Sequence, residues 1–384
     1  MRGNEGGTGV APEFEQARLD DVDDLLRLYR RAHGANYPIA MGTDPDVMVA
    51  EIEAAHTTWL VWRKDGHVVA SITGHVEAQD RLGKIAGLVV DPAAQGGGVA
   101  HHAVGQITER MLASGEVDSV YGTARTIHLA PQRVCLRNGF HALGLVPNLF
   151  KHAKRETMAL LAKHRDGVLG QRAEVHKVPK SLEKLVMTTH EKIGLPALPE
   201  FVDDSDIPAA ETSRLEIIEA SRFVQRHFER NINDPARRFY PLHKPNVLLA
   251  DEQGEYQIYG HLNRHDGYCT IFGATPGPQK LLPHLGGVID TLAGMGAPHV
   301  ETLVPLHEFD ELSALLAFGF LPVALYPAMR KDGDLYHDYV VMVHTPQPPD
   351  FRGLTIDEAF RPFTEQYIEL WTQKFLNTNG VFCS

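Results

Sequence analysis

Apolar and polar residues follow two periods along the first part of the chain. Asp20–His33 spaces its leucines as a helix does, with acidic residues in the first turn and arginines in the last. Thr58–Arg63, Val68–Thr73 and Ile85–Val90 are short runs rich in β-branched residues, separated by turn residues. The pattern predicts a helix followed by an antiparallel meander of three strands.

Further elements complete roughly the first 150 residues. They are predicted as a loop at Asp91–Gly98, helices at His101–Ser114 and Pro131–Arg137, and strands at Val120–Ala124, Ala142–Val146 and Thr157–Leu161. Helices that interrupt a mixed sheet predict an α+β fold.

The second half repeats this order of elements. When the chain is shifted by 180 residues, eight identities occur in the 37 positions from 111 to 147, among them Gly139/Gly319 and Phe140/Phe320. About two or three are expected by chance from ordinary residue frequencies. We therefore predict a first domain at 13–165, a helical connector at 166–235, a second domain at 236–345 and a tail at 346–384 with one helix.

Composition excludes several classes of protein. The 37 basic and 49 acidic residues give a net charge of −12, which disfavours nucleic acid and anionic lipid as partners. Three scattered cysteines form neither a disulfide framework nor a metal cage, and no apolar run approaches the roughly 20 residues of a membrane span. A cytoplasmic location without a membrane partner is expected.

One loop carries recognisable chemistry. Asp91-Pro92-Ala93-Ala94-Gln95-Gly96-Gly97-Gly98 follows a strand and precedes a helix. Consecutive glycines let backbone N–H groups point at an anion, and the helix N-terminus adds its positive dipole end. Neither the Lys-Ser/Thr of an NTP-hydrolysing loop nor Gly-x-Gly-x-x-Gly is present. The loop predicts a pyrophosphate site without hydrolysis; the alternative is a glycine-rich turn without a ligand.

Three segments together resemble the GNAT acyltransferase superfamily. Gln95–Ala100 fits its Gln/Arg-x-x-Gly-x-Gly/Ala signature, Leu88–Pro92 is similar to its fourth strand, and Cys135–Phe140 is similar to its helix that ends in Gly-Phe. The resemblance covers roughly 13–345 as a tandem protein with a degenerate second half. It implies two folds, each a mixed, mostly antiparallel sheet flanked by helices.

The resemblance also implies a cofactor and its site. Acetyl-CoA, or another short acyl-CoA, would lie between the strands that end near Val90 and Ala124. The implied cofactor-binding residues are Leu88, Val89, Val90, Gln95, Gly96, Gly97, Gly98, Val99 and Ala100. At the matching place in the second half, Pro276 and Pro278 lack N–H donors, so that half is not expected to bind coenzyme A.

The catalytic residues depart from the family pattern. Cys135 stands where many members have the tyrosine that donates a proton, and Gly87 replaces a familiar glutamate. Cys135 is a candidate proton donor, with core packing as the alternative, and His128 is a candidate proton acceptor. His75, Glu77 and Asp80 are reserves. No metal site is predicted, because no known ligand spacing occurs.

Two functions are compatible with these residues. The first is transfer of an acyl group from coenzyme A to the amine of a small molecule by direct attack on the thioester. In that case the second half would form a wall of the acceptor pocket or the surface of a homodimer. The alternative is a non-catalytic acyl-CoA sensor or interaction module, suggested by Gly87 and Cys135.

Overall fold

The computed structural model describes residues 12–34, 40–151, 155–203, 214–232 and 244–376, with only the backbone at 148–151 and 155. The strands β1 to β16 are Glu15–Gln16, Thr57–Lys64, His67–Glu77, Leu82–Val90, Ser119–Arg125, His141–Lys151, Arg155–His164, Lys177–Pro179, Glu200–Val202, Leu215–Ile218, Val247–Asp251, Gln257–Asn263, Tyr268–Thr275, His299–Pro305, Leu321–Asp332 and Leu335–His344. The helices α1 to α10 are Val22–His33, Pro45–Glu53, Val99–Ala113, Leu129–Arg137, Glu183–Ile193, Ser221–Asn231, Pro278–Leu281, Leu285–Gly294, Phe309–Ala317 and Arg361–Phe375.

Fourteen of these strands form one continuous sheet in the order β1-β2-β3-β4-β5-β7-β6-β15-β16-β14-β13-β12-β11-β10. In each half of the sheet one pair of neighbours is parallel, β4 with β5 and β13 with β14, and the other pairs are antiparallel. The predicted α+β class with a mixed, mostly antiparallel sheet is confirmed. Strand β10 pairs with β11, and α6 packs against residues of β11, β12 and β13. Two elements from the predicted connector therefore lie with the second half.

The two halves meet where β6 pairs with β15. The paired residues are Gly144 and Ala324, which lie 180 positions apart, the same spacing as the sequence repeat. A Cβ atom on Gly144 would lie 2.2 Å from the carbonyl oxygen of Val323. Only glycine therefore allows the two backbones to approach at this junction.

Helix α3 covers one face of the first half-sheet because its apolar residues recur at helical spacing. Ile107 and Met111 are buried against Gly74 of β3 and Gly83 of β4. A Cβ atom at either glycine would lie within 2.6 Å of Met111. The small residues on the strands thus set how closely the helix that follows the glycine loop packs on the sheet.

The tail packs on both halves. Helix α10 lies against β6, β15 and α5, and the Trp371 indole donates a hydrogen bond to the carbonyl of Thr345 at 3.1 Å. Within the described ranges, no helix combines the length and the apolar composition that crossing a bilayer would require.

Candidate active site

A wedge opens between β4 and β5. Their parallel pairing runs from Leu82/Ser119 to Ile85/Gly122 and ends there, and a register shift marks a bulge in β4 opposite Ser71 and Thr73. Beyond the bulge the backbone of β4 no longer bonds to β5. Unpaired strand edges of this kind offer N–H and C=O groups to a ligand.

Gly87 lies at this bulge with φ +61°. Its carbonyl oxygen accepts a hydrogen bond from the Tyr29 hydroxyl at 2.8 Å, and a Cβ atom there would lie 2.6 Å from Met41 Cε. The close packing of Tyr29 and Met41, together with the left-handed φ, disfavours any larger side chain here, including the glutamate that the family resemblance implied.

The glycine loop follows directly. Asp91 fixes its start: one carboxylate oxygen accepts from the Ala93 N–H at 2.9 Å, and the other accepts from Arg31 Nε at 2.8 Å. Gly96, Gly97 and Gly98 have φ values of +96°, +57° and +77°. Three successive left-handed residues turn the chain sharply into α3, which only glycines do at little cost.

The loop leaves donors open. Among the described residues, none accepts a hydrogen bond from the backbone N–H groups of Gly97, Gly98 or Ala100. Gly96 and Gly97 are exposed, and nothing lies within 4 Å of a Cβ atom built on either. Exposed amides at the start of a 15-residue helix form a ready anion site.

The predicted cofactor-binding residues lie in three consecutive segments: the end of β4, the glycine loop and the first turn of α3. Leu88 and Val90 are half-buried on the strand that borders the wedge, whereas the Val89 side chain packs into the core under α1. Gln95, Gly96, Gly97 and Gly98 form the exposed loop. In the first turn of α3, Val99 is buried and Ala100 is half-buried.

Of the two predicted catalytic residues, Cys135 lies on α4 and His128 immediately precedes this helix. Cys135 is buried in the core, and this burial raises the pKa of its thiol to about 12. That environment favours the packing alternative, since the thiol is a weaker acid than an ordinary thiol of pKa about 8.5. His128 is exposed immediately before α4, and its carbonyl oxygen accepts from Gln132 Nε2 at 3.1 Å.

The structure adds charged residues that the sequence patterns missed. At the end of β5, Arg125 donates two hydrogen bonds, of 2.7 and 2.6 Å, to the buried carboxylate of Glu156 on β7. His33 ends α1, one turn after Tyr29. Desolvation and the nearby Arg125 charge lower the pKa of His33. Arg125 and Glu156 are 31 residues apart, so no local motif could have indicated the pair.

The reserve candidate His75 lies close to two other side chains beside the meander. Glu51, His56 and His75 bring ligand-type atoms within 4.8 Å of one another. The Thr57 hydroxyl donates to Glu51 at 2.9 Å and lies 3.3 Å from His75 Nδ1. Desolvation, the largest cause, lowers the pKa of His75 although Glu51 opposes it. The absence of a metal site stays a prediction.

The second half has its own wedge between β13 and β14. A cavity of about 630 Å³ lies there, lined in part by Phe272, Leu303 and the β15 residue Arg330. At its loop, Pro278 begins α7 and Pro276 precedes it, so two N–H donors are missing where the first loop has them.

The part of the chain that contains the wedge and the glycine loop matches a known acetyltransferase family. The family model described as Acetyltransferase (GNAT) family matches residues 22–140. The match confirms the resemblance to this family for residues 22–140, the part of the chain that carries the glycine loop.

Two solved acetyltransferase structures are among those to which the chain is similar. The ribosomal-protein-S18-alanine N-acetyltransferase of Escherichia coli is 15% identical, with 40% of this chain and 92% of that chain covered and a TM-score of 0.35. The phosphinothricin acetyltransferase of Sinorhizobium meliloti, in complex with AcCoA, is 16% identical, with 41% and 95% covered and a TM-score of 0.36. No curated protein sequence matches the chain.

Proposed function

We propose that the chain transfers an acetyl or other short acyl group from coenzyme A to the amine of a small molecule in a ternary complex. The observation that carries this proposal is the run Gly96–Gly98. These residues hold open N–H groups ahead of α3, at the end of the strand that borders the wedge. This arrangement suits a diphosphate, and the wedge suits the pantetheine arm and thioester that follow it.

Transfer requires a neutral amine. Its nitrogen attacks the thioester carbonyl carbon, the C–S bond breaks and the nitrogen loses a proton to the acceptor. The coenzyme thiolate takes up one proton, from the protonated acceptor or from water, and leaves as a thiol. In this proposal the main chain of Leu88 and Val90 positions the acyl-CoA. His33 or His128 accepts the proton, directly or through water. His33 is the better placed of the two, because it lies on the same side of α1 as Tyr29, which contacts the bulge.

The domain organisation is part of the proposal. Residues 13–165 form the catalytic domain, and 236–345 a degenerate copy whose prolines prevent diphosphate binding, with 166–235 as connector and 346–384 as tail. The second half either closes the acceptor pocket or forms the interface of a homodimer. The enzyme is proposed to be cytoplasmic.

Calorimetry with acetyl-CoA tests the cofactor site. We expect the wild type to bind it and the double variant Gly97→Pro, Gly98→Pro to lose binding, because proline removes the N–H donors. Equal binding by both proteins would eliminate the loop from the mechanism. Release of free thiol across an amine panel then tests transfer: binding without release would favour the non-catalytic sensor.

A further inference from the structure

A lysine lies on the floor of the wedge, on the sheet face that α1 covers. Lys84 of β4 is the neighbour of His75 on β3 and of Tyr121 on β5. Paired residues of adjacent strands share a face, and successive odd residues of β5 stay on it. This face therefore carries Lys84, Tyr121, Thr123 and Arg125 in a row that leads to the end of β5.

The face is open above this row. Thr123 is exposed although β5 lies inside a sheet of fourteen strands. Pairing of β4 with β5 has ended one residue earlier, at Gly122, so the sheet is open along the edge of β5 at Thr123. Lys84 lies deep in the protein, yet its side chain keeps part of its solvent exposure. A side chain that lies deep in the protein and is still partly exposed to solvent is typical of a residue that lines a groove.

Lys84 differs from the other cations nearby because it has no acidic partner among the described residues. Arg125 is paired with Glu156, Arg81 with Asp118 and Arg330 with Asp80. In the described ranges, no carboxylate lies within 4.0 Å of the Lys84 ammonium, whose described contact is the Tyr121 ring, with its centroid at 5.9 Å. Desolvation lowers the pKa of Lys84.

An ammonium group that is desolvated without a partner is costly, and an anionic ligand would offset that cost. Lys84 lies three residues before Gly87, a separation of about 10 Å along a strand. That is the scale of a small molecule whose amine reaches the thioester at the bulge. Building on the proposed function, we infer that Lys84 binds the carboxylate of the acceptor, which is therefore an amino acid or a similar aminocarboxylic acid.

Matched acceptors test this inference. Thiol release from acetyl-CoA is measured with free amino acids, including β-alanine and γ-aminobutyrate, and with their carboxamides. We expect the wild type to use the best acid at least about tenfold better in kcat/KM than its amide, since a charge-assisted hydrogen bond is lost in the amide. Lys84→Met should lower kcat/KM for the acid about 10- to 100-fold, leave the amide within about threefold, and retain acetyl-CoA binding.

Two further variants make the result specific. Lys64→Met removes one positive charge from the exposed end of β2 and should change neither acceptor. Lys84→Arg should restore part of the preference for the acid. Because methionine removes an unpartnered charge, Lys84→Met should unfold at the same temperature as the wild type or higher.

Each remaining outcome has a distinct meaning. Turnover of acids and amides at equal rates, or equal loss of both in Lys84→Met, would overturn the role of Lys84 while leaving transfer intact. A lower unfolding temperature of Lys84→Met with unchanged preference would show a structural role instead. Acetyl-CoA binding without thiol release from any amine would contradict the proposed function itself, and the acceptor inference with it.

Discussion

At Gly97 a substitution can test the effect of the backbone conformation alone, because an added side-chain atom would not clash with any neighbour. Its φ is +57°, and a Cβ atom would meet nothing within 4 Å. In Gly97→Ala the added methyl group therefore costs only conformational strain, about 1–2 kcal/mol for a left-handed residue. The free loop can relax this strain, whereas the ligand-bound loop cannot. We expect acetyl-CoA to bind about 5- to 30-fold more weakly by calorimetry.

Gly115 provides the matched control. It also has a positive φ, +78°, and open space around a built Cβ atom, but it follows the far end of α3. Gly115→Ala should cost similar strain without any change in affinity for acetyl-CoA. Equal weakening by the two substitutions would show that the loss reflects general destabilisation rather than the loop.

The role proposed for His33 predicts how kcat/KM depends on pH. A proton acceptor works only when neutral, so kcat/KM falls as the pH drops through its pKa. Desolvation and Arg125 lower the pKa of His33, which places the midpoint of this acid limb below about pH 6.5. In His33→Asn we expect this limb to disappear, leaving only the pH dependence that comes from ionisation of the acceptor amine, and kcat/KM to fall about 100-fold or more. If His128→Asn removed the limb instead, the acceptor would be His128.

At the scale of the elements, α4 contacts the tail through the buried side chain of Gln132, beside the more exposed Arg133–Asp357 ion pair. Gln132 of α4 is fully buried; its amide donates to the carbonyl of Thr355 at 2.8 Å and accepts from the N–H of Asp357 at 2.9 Å. In Gln132→Ala these backbone groups lose their partner, which should lower the free energy of unfolding by about 1–3 kcal/mol in urea titrations. The N–H of Asp357 should also exchange faster with deuterium.

Gln373 on α10 is the corresponding exposed glutamine. Its amide donates one hydrogen bond to Glu369 at 3.4 Å, so Gln373→Ala should change the unfolding free energy by less than about 0.5 kcal/mol. Unchanged stability and exchange in Gln132→Ala would show that the tail is held without this side chain.

The elements around the loop were predictable because local patterns define them. The strand that became β4, the glycine turn and α3 follow from β-branched residues, three glycines and helical spacing. Helix α2 was missed although Asp44 caps it by accepting from the N–H groups of Asp46 and Val47. The bulge at Gly87 was also missed, since a register shift depends on the neighbouring strand.

For the whole molecule, the identities at 180-residue spacing predict a repeat, and the same spacing recurs in the Gly144/Ala324 pair. The contacts that join the halves were not. Asp118 precedes β5, whereas its partner Tyr336 lies on β16, 218 residues later. Nothing local in either segment indicates the other, because such a contact depends on how the two half-sheets are packed.

Asp118 supplies a prediction about acid stability. Burial would raise the pKa of its carboxyl group. Hydrogen bonds from Arg81 and Tyr336 and the charges of Arg81 and Arg165 outweigh this effect and lower the pKa to about 2. The unfolded value is about 3.9, so the stabilisation is complete above pH 4 and is lost as the pH falls towards 2.

In urea titrations, the wild type should therefore lose about 2 kcal/mol more unfolding free energy between pH 5 and pH 2 than Asp118→Asn does. At pH 5 the variant should already be less stable by about 3 kcal/mol, because two arginines lose a buried partner. Asp332→Asn, at the exposed end of β15, should keep the wild-type pH dependence. If Asp118→Asn kept it as well, the carboxylate of Asp118 would not be the group that makes the stability sensitive to acid.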